Sequence, residues 1–548
     1  MKFTISFIIC VMFFYAGHTT VFADIGGNFP TIHINTEFAA NPFHDRNTWR
    51  NATISYGNPT TGETLMPTTA RVRGRGNSTW WMGADKRPLR FRFDEARSMF
   101  GSEHEARDWI LLANRFDRSL LRNYSAFYLA EQMGNMAFVP MFQNVHLHVN
   151  GVYMGVYLLT DERDTSPGRL QISHHENPAQ SGFFFELDNR APESGTENED
   201  FVVANHLPYA IRYPSGNRLT PAHVTYLREY IEATSRAIRF GTFDEILQLI
   251  DLPSFIDFYL VQEFFKDMDA YKYSVFMHIA GEGDERRLFM GPVWDFDIAA
   301  GNSDIKWLGT DPKGLYVAIF NYWYRNLMAR PEFHAAVAAR WQELSETAIP
   351  QTIARIRSTA THYRYEFERD FARHPRAVPF LRPEFIANND FMWHAEYLAT
   401  WLEDRASWLN AYFAGELPNY CHMWELVEYY TYESHVGLIL NGEPQDLEIP
   451  IIRLPYATKI ALSEATRLFH LETSRNANTL TIRQEGITIT HRIGENHFLV
   501  TGSDTIVSPV PSIPIQNLIF VPLRPLAEAL GYTVDWINET PTVVLDMY

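Results

Sequence analysis

Two pairs of aspartates have the type and spacing to do chemistry. Asp295 and Asp297 stand two residues apart in Gly291-Pro292-Val293-Trp294-Asp295-Phe296-Asp297, inside an apolar, aromatic run. If that run is extended, both carboxylates face the same way. Two anions on one face repel each other and resist burial, so a cation, a shared proton or open water must compensate them. A divalent metal is the natural candidate; the plainer alternative is a strand end whose aspartates are solvated or cap the next helix. Asp267 and Asp269 form the second pair. Between the pairs the chain reads as two strands, Tyr273 to Ile279 and Arg287 into the Trp-Asp-Phe-Asp segment, around a Gly-Glu-Gly-Asp turn. A hairpin returns its two ends to the same place, which would converge up to four carboxylates. Phosphoryl transfer needs this arrangement: Mg2+ bridges nucleotide phosphates through one or two carboxylates, and another carboxylate orients the attacking hydroxyl.

A cation must then neutralise the phosphates. Lys86 is the leading candidate by position, because it lies between the glycine-bearing turn Arg73-Gly74-Arg75-Gly76-Asn77-Ser78-Thr79 and a strand in which Leu89, Phe91 and Phe93 alternate with Arg90 and Arg92. Arg73, Arg75 and Arg87 are near enough in sequence to help. The bland readings are a solvated edge lysine and a turn whose glycines report only positive φ angles. Asp267 most simply ends its helix in water, which leaves Asp269 for the catalytic role. Glu162 is either a surface carboxylate or a hydrogen-bond partner at a nucleotide hinge, and Glu131 is either a partner of Lys86 or, more simply, an exposed helix glutamate. His146 and His148 alternate on one strand and could supply two zinc ligands, without a third at diagnostic spacing. No Gly-x-Ser-x-Gly elbow, His-Glu-x-x-His or Walker loop occurs, and Cys421 makes a poor nucleophile.

The elements that must position these residues follow from periodicity. Thr31 to Ile34, Ala52 to Tyr56 and Ala70 to Arg73 read as antiparallel strands. A capped helix runs from Asp117 to Met133 before Gly134. Asn150-Gly151 between two alternating apolar runs, Val145 to Val149 and Val152 to Leu159, is a hairpin signal. The order glycine turn, lysine strand, helix, hairpin and then Thr160-Asp161-Glu162-Arg163 matches the small lobe of a protein kinase, whose hinge follows the hairpin. After an acidic connection near Pro192 to Asp200 the chain becomes mainly helical, with Pro221 to Phe240 and Pro253 to Lys266 the clearest helices, and helices dominate again from Leu315 to Leu417. Past about Glu425 the texture turns to Thr- and Ile-rich strands. There Leu462 to Phe469 followed by Leu480 to Ile482 mirrors Leu523 to Leu530 followed by Val543 to Leu545, a duplicated helix-then-strand unit.

The chain has 548 residues, 46% apolar and 14% aromatic, which is too long for one core and excludes general disorder. Residues 1–23 have the three-part layout of a secretory signal peptide, with cleavage expected after Ala23; no later segment is apolar enough to span a membrane. Cys10 falls in that leader, so only Cys421 remains, and export without disulfides suits a bacterial surface. A formal charge of −18 disfavours nucleic acid as a partner.

The residues also carry a resemblance. Arg73 to Trp80 with Lys86-Arg87-Pro88, Trp109 to Asn114 with Leu121-Arg122-Asn123, Val149 to Tyr157 with Glu162, Glu263 to Asp269, and Gly291 to Asp297 with Gly301-Asn302 resemble the spore coat protein H (CotH) kinase family. The tail, with Phe520 to Trp536, resembles the copper amine oxidase N-terminal-like domain, here without copper ligand spacing. The resemblance implies an α+β chain: an atypical two-lobed protein-kinase-like domain over 24–425, followed at 436–548 by a small α+β module. It implies an exported kinase using ATP and Mg2+ (or Mn2+) to phosphorylate Ser or Thr of a secreted, surface or spore coat protein. The module would serve possible cell-surface or cell-wall association. Carried over, Lys86 would contact nucleotide phosphate, Asp269 would be catalytic, and Asp295 and Asp297 would hold metal; Arg75 and Glu162 complete the expected nucleotide set. Many relatives read Asn where this chain has Asp267. The alternative is a catalytically silent surface or coat protein that uses the fold to bind a partner.

Overall fold

A computed structural model describes residues 28–37, 45–82, 85–102, 104–303, 309–375, 388–417 and, with short interruptions, 436–547. Seven strands open the fold: β1 (Thr31–Thr36), β2 (Arg50–Gly57), β3 (Thr64–Gly74), β4 (Leu89–Arg97), β5 (Ala106–Leu112), β6 (Phe142–Val149) and β7 (Val152–Asp161). They close a barrel in the order β1-β2-β3-β4-β5-β7-β6, in which β6 returns to lie parallel to β1. Alternation sends Ile32, Ile34, Ile54, Val72, Phe91, Trp109 and Leu147 into one buried cluster. The β6–β7 turn is the expected one, with Asn150 at φ 48° and Gly151 at φ 79°, the two positive angles that a tight hairpin requires.

A single turn, α1 (Ser78–Trp81), follows the glycine-bearing segment, and α2 (Arg122–Met133) fills the β5–β6 connection, ending at Gly134. The helix starts five residues later than its sequence signal. Asp117 still acts as its cap from a preceding turn, accepting the backbone N–H groups of Ser119 and Arg122 at 2.9 and 2.8 Å.

A second sheet is built from β8 (Phe183–Leu187), β9 (Phe201–Ala204), β10 (Leu207–Tyr213), β11 (Val275–Ala280) and β12 (Arg287–Met290), in the order β12-β11-β8-β10-β9. The sequence pattern assigns no element to β8, and β9 and β10 fall just past the acidic connection, where it points mainly to helix. Every residue of β8 is buried, so its Phe-Phe-Phe-Glu-Leu run carries no alternation to read. The β11–β12 hairpin was expected, but β12 stops at Met290. Pro292, which has no N–H for a ladder, follows through a cis Gly291–Pro292 bond, and Asp295 sits at φ 71°. The segment is therefore bent rather than extended, so strand alternation is not what brings Asp295 and Asp297 together.

Helices supply the rest: α3 (Ala191–Ser194), α4 (Pro221–Phe240), α5 (Phe243–Leu247), α6 (Leu252–Phe265), α7 (Val317–Phe320), α8 (Tyr322–Met328), α9 (Pro331–Glu346), α10 (Ala348–His362), α11 (Arg364–Arg373) and α12 (Phe391–Phe413). From Ser254 to Phe265 every residue of α6 is buried, as expected of a helix apolar all round. It packs against α2, α9 and α12.

Residues 436–545 build their own hydrophobic cluster. Helix Leu462–Leu468 precedes the hairpin Glu472–Asn476 and Thr479–Gln484, and helix Leu523–Ala529 precedes the hairpin Tyr532–Ile537 and Thr542–Met547. The duplicated unit is thus a helix followed by two strands. The expected leader and Cys421 lie outside the described residues, and no helix among those described is long and apolar enough to cross a membrane.

Candidate active site

The turn carrying Asp267 and Asp269 leaves the end of α6 at Lys266, which adopts φ 49°. That turn is held from below. Buried Lys266 donates to the carbonyls of Asp311 and Lys313 at 2.8 and 2.7 Å, and Arg405 of α12 pairs with Glu263 at 2.8 Å. Glu263 in turn accepts the backbone N–H groups of Tyr316 and Ala318 at 2.7 and 2.9 Å, so its charge is fully satisfied. Burial, with Arg405 adding to it, lowers the Lys266 ammonium to about 7.

The second pair is held from the side. Asn123 accepts the N–H of Phe296 at 2.8 Å and donates to Asn114 at 3.0 Å, while Asn302 donates to the carbonyls of Asp297 and Phe116 at 2.6 and 2.7 Å. Arg122, paired with Asp117 at 2.6 Å, donates to Ala299 and Ala300 at 2.8 and 3.0 Å. These contacts explain the motif residues Asn114, Arg122, Asn123 and Asn302, which do not line the cavity and instead fix the bend between Trp294 and Gly301.

The two aspartate pairs converge strongly enough to perturb one another. Burial raises Asp267 well above the ordinary carboxylate range, and Asp269 and Asp295 raise it further. Asp297 is likewise raised by burial and then by Asp295, Asp117, Asp269 and Asp267. Burial also raises Asp269, against the opposing pull of Lys272, to about 6. The Ser274 hydroxyl donates to Asp295 at 3.3 Å. Among the described residues neither Asp295 nor Asp297 has a Lys or Arg ion-pair partner, and no group of three His, Cys, Asp or Glu side chains forms a ready metal cage.

A cavity of about 980 Å³ opens above these groups, between the barrel and the second sheet. Asp269, Asp295 and Asp297 line it, as do Arg75, Glu162 and Arg163; Asp267 does not. Burial, and then Arg163 beside it, lowers the Arg75 guanidinium to about 10, although Glu162 and Asp295 pull the other way. Glu162 is buried and pairs with Arg90 at 2.9 Å. Burial would raise its carboxyl, but Arg163, Arg90 and Arg75 outweigh this and hold it down to about 2. It is therefore no surface carboxylate. Arg163, which the sequence reading passed over although it adjoins Glu162, lies 4.1 Å above the Trp294 ring and 4.8 Å above that of Phe276.

Lys86 is not in the cavity. It is fully buried on the far side of β7, 2.6 Å from Asp370 of α11 and 5.3 Å from the Tyr157 ring centre. Gly155 makes room for that pair: at φ 106° it would place a Cβ 2.3 Å from the Asp370 carboxylate. The structure thus commits Lys86 to a buried ion pair rather than to the cavity, because a residue just ahead of a strand can turn to either side. Glu131 is exposed, matching its simpler reading. His146 is committed to Glu366 at 2.6 Å and Tyr153 at 3.0 Å.

Residues 71–409 match the family described as CotH kinase protein. The chain belongs to the CotH kinase protein family. The matched span runs from within β3 to within α12, so both aspartate pairs, Arg75, Lys86 and Glu162 fall inside the CotH kinase region. Residues 460–545 match the copper amine oxidase N-terminal domain, covering both helix-and-hairpin units. No individual curated protein matches the chain.

Proposed function

We propose that this CotH family chain is an exported protein kinase that transfers the γ-phosphoryl group of ATP to a Ser or Thr hydroxyl of a secreted, surface or spore coat protein. The observation that carries the reading is the convergence of Asp269, Asp295 and Asp297 in a cavity also lined by arginines. The donor set fits Mg2+ or Mn2+. Two carboxylates that pair with no Lys or Arg among the described residues, one of them buried, suit an ion that takes its other ligands from phosphates and water rather than from an all-protein cage. Bound there, the metal would neutralise phosphate charge. Asp295 and Asp297 would hold it, Arg75 and Arg163 would meet phosphate oxygens, and Glu162 would keep those two guanidiniums in place. Asp269 would orient the acceptor hydroxyl and take its proton. In this reading the barrel and the helical portion of residues 24–425 are the two lobes of an atypical kinase, and 436–548 is an appended surface-association module.

One observation favours the silent alternative: Lys86 is withdrawn into an ion pair with Asp370. Incubating purified protein with labelled ATP and Mg2+ or Mn2+ separates the two. Label should enter the protein or an acidic carrier, and Asp295→Ala should abolish it. Neither labelling nor nucleotide-induced thermal stabilisation would be the result that sinks the enzyme reading.

A further inference from the structure

The outer wall of the barrel beside the cavity carries a square of like charges. Arg71 and Arg73 of β3 lie directly opposite Arg92 and Arg90 of β4. Their guanidinium carbons stand 5.9, 5.0, 5.2 and 5.8 Å from the ring centre of a single tryptophan, Trp49. Like charges opposite each other weaken a sheet, and burial together with Arg90 lowers the Arg73 guanidinium below its ordinary value. Among the described residues two carboxylates answer the four: Asp108, at 2.8 Å from Arg90 and 2.9 Å from Arg92, and Glu162, at 2.9 Å from Arg90. This excess of positive charge sits in a chain whose net charge is −18.

The square is continuous with the cavity. Arg73 and Arg90 belong to both, and Arg46, also on the rim, donates to Gly76 at 2.5 Å. Arg75 and Arg163 line the cavity beside Asp295 and Asp297, whereas Arg71 and Arg92 lie outside it, beyond the place assigned to the nucleotide. Taking the cavity as a phosphoryl-transfer site, we propose that this wall is the docking track for the phosphoacceptor, and that it selects an acidic peptide: Asp or Glu residues flanking the accepted Ser or Thr. Carboxylates match guanidinium forks in pairs, and the arginines are already ordered by Trp49, so little side-chain freedom is lost on docking. In the transfer the bond from the γ-phosphorus to its bridging oxygen breaks, a bond to the acceptor hydroxyl oxygen forms, the hydroxyl proton passes to Asp269 and ADP leaves.

The test uses the full chain and fluorescent Ser peptides flanked by Glu, Gln or Lys. Fluorescence anisotropy should show the Glu peptide binding about tenfold tighter than the Lys peptide, with affinity falling as salt rises. The double variant Arg71→Glu, Arg92→Glu, assayed at a temperature where its melting curve shows it folded, should raise KM for the Glu peptide about tenfold while KM for ATP stays put; Arg71→Lys, Arg92→Lys, which keeps a cation opposite Asp108, should fall between. Equal binding of Glu and Lys peptides, or indifference to charge reversal, overturns the proposal, as does polyphosphate binding as tightly as a peptide of equal charge. Charge-selective peptide binding without phosphate transfer to any peptide would leave the track standing and remove the kinase reading. Transfer that ignores peptide charge would do the reverse.

Discussion

Asp267 is the residue whose replacement should be most informative. It is buried beside Asp269 and accepts that residue's N–H at 3.1 Å, a bond that an asparagine carbonyl can also accept. Because its folded pKa lies well above the unfolded value, the chain binds an extra proton on folding, and the associated stability is lost as pH rises through the folded pKa. Asp267→Asn should therefore stabilise the apo protein by about 1–3 kcal/mol, more at pH 8 than at pH 5, as read by urea unfolding at both. For Asp269, raised to about 6, the proposed role as proton acceptor requires the ionised form, so kcat/KM for an acceptor should climb as pH rises through that value. Lys272, 3.6 Å away, pulls that pKa down, so Lys272→Ala should move the acid limb to higher pH. A limb unchanged in Lys272→Ala would mean that another group is titrating.

At the scale of elements, α11 meets the stretch just ahead of β4 through the Lys86–Asp370 charge pair. Asp370→Asn would leave the Lys86 ammonium buried without its counter-ion and should cost about 3–5 kcal/mol in denaturant unfolding. Lys86→Met with Asp370→Asn, which keeps an acceptor for the Val156 N–H, should recover most of that, and should bind nucleotide as the parent does, since the pair lies outside the cavity. Weakened nucleotide binding in the double variant would restore Lys86 to its expected role. What was legible here depended on range. Asn150-Gly151 specifies its own hairpin because both residues accept positive φ, and the barrel strands β1 to β4 alternate plainly against water. Asp370 lies 284 positions from Lys86, so no local pattern could reveal the pair. The buried β8 hides among apolar residues, and the bend at Gly291 to Asp297 depends on Asn123 and Asn302, side chains that sequence places far from it. The aspartates converge as the β11–β12 hairpin suggested, although by a bent segment rather than a straight one.

For the molecule as a whole, the cluster within 436–545 draws on no residue of the earlier cores, so a chain ending at residue 425 should still fold and bind nucleotide, with a melting transition matching one of two seen in the full chain. A single transition lost on truncation would show instead that the module is needed for folding. The closed barrel has a consequence of another kind. Its seam joins β1 to β6, and Thr31 pairs with His146. A chain emerging from its N-terminus first carries β1 with one open edge while more than a hundred further residues are delivered, whether to the ribosome exit or across a membrane. Until the seam partner arrives the barrel cannot be sealed. A pause in delivery before Phe142 would then leave a sticky half-barrel, and interruptions in that window should harm the yield of folded protein far more than equal ones after Asp161.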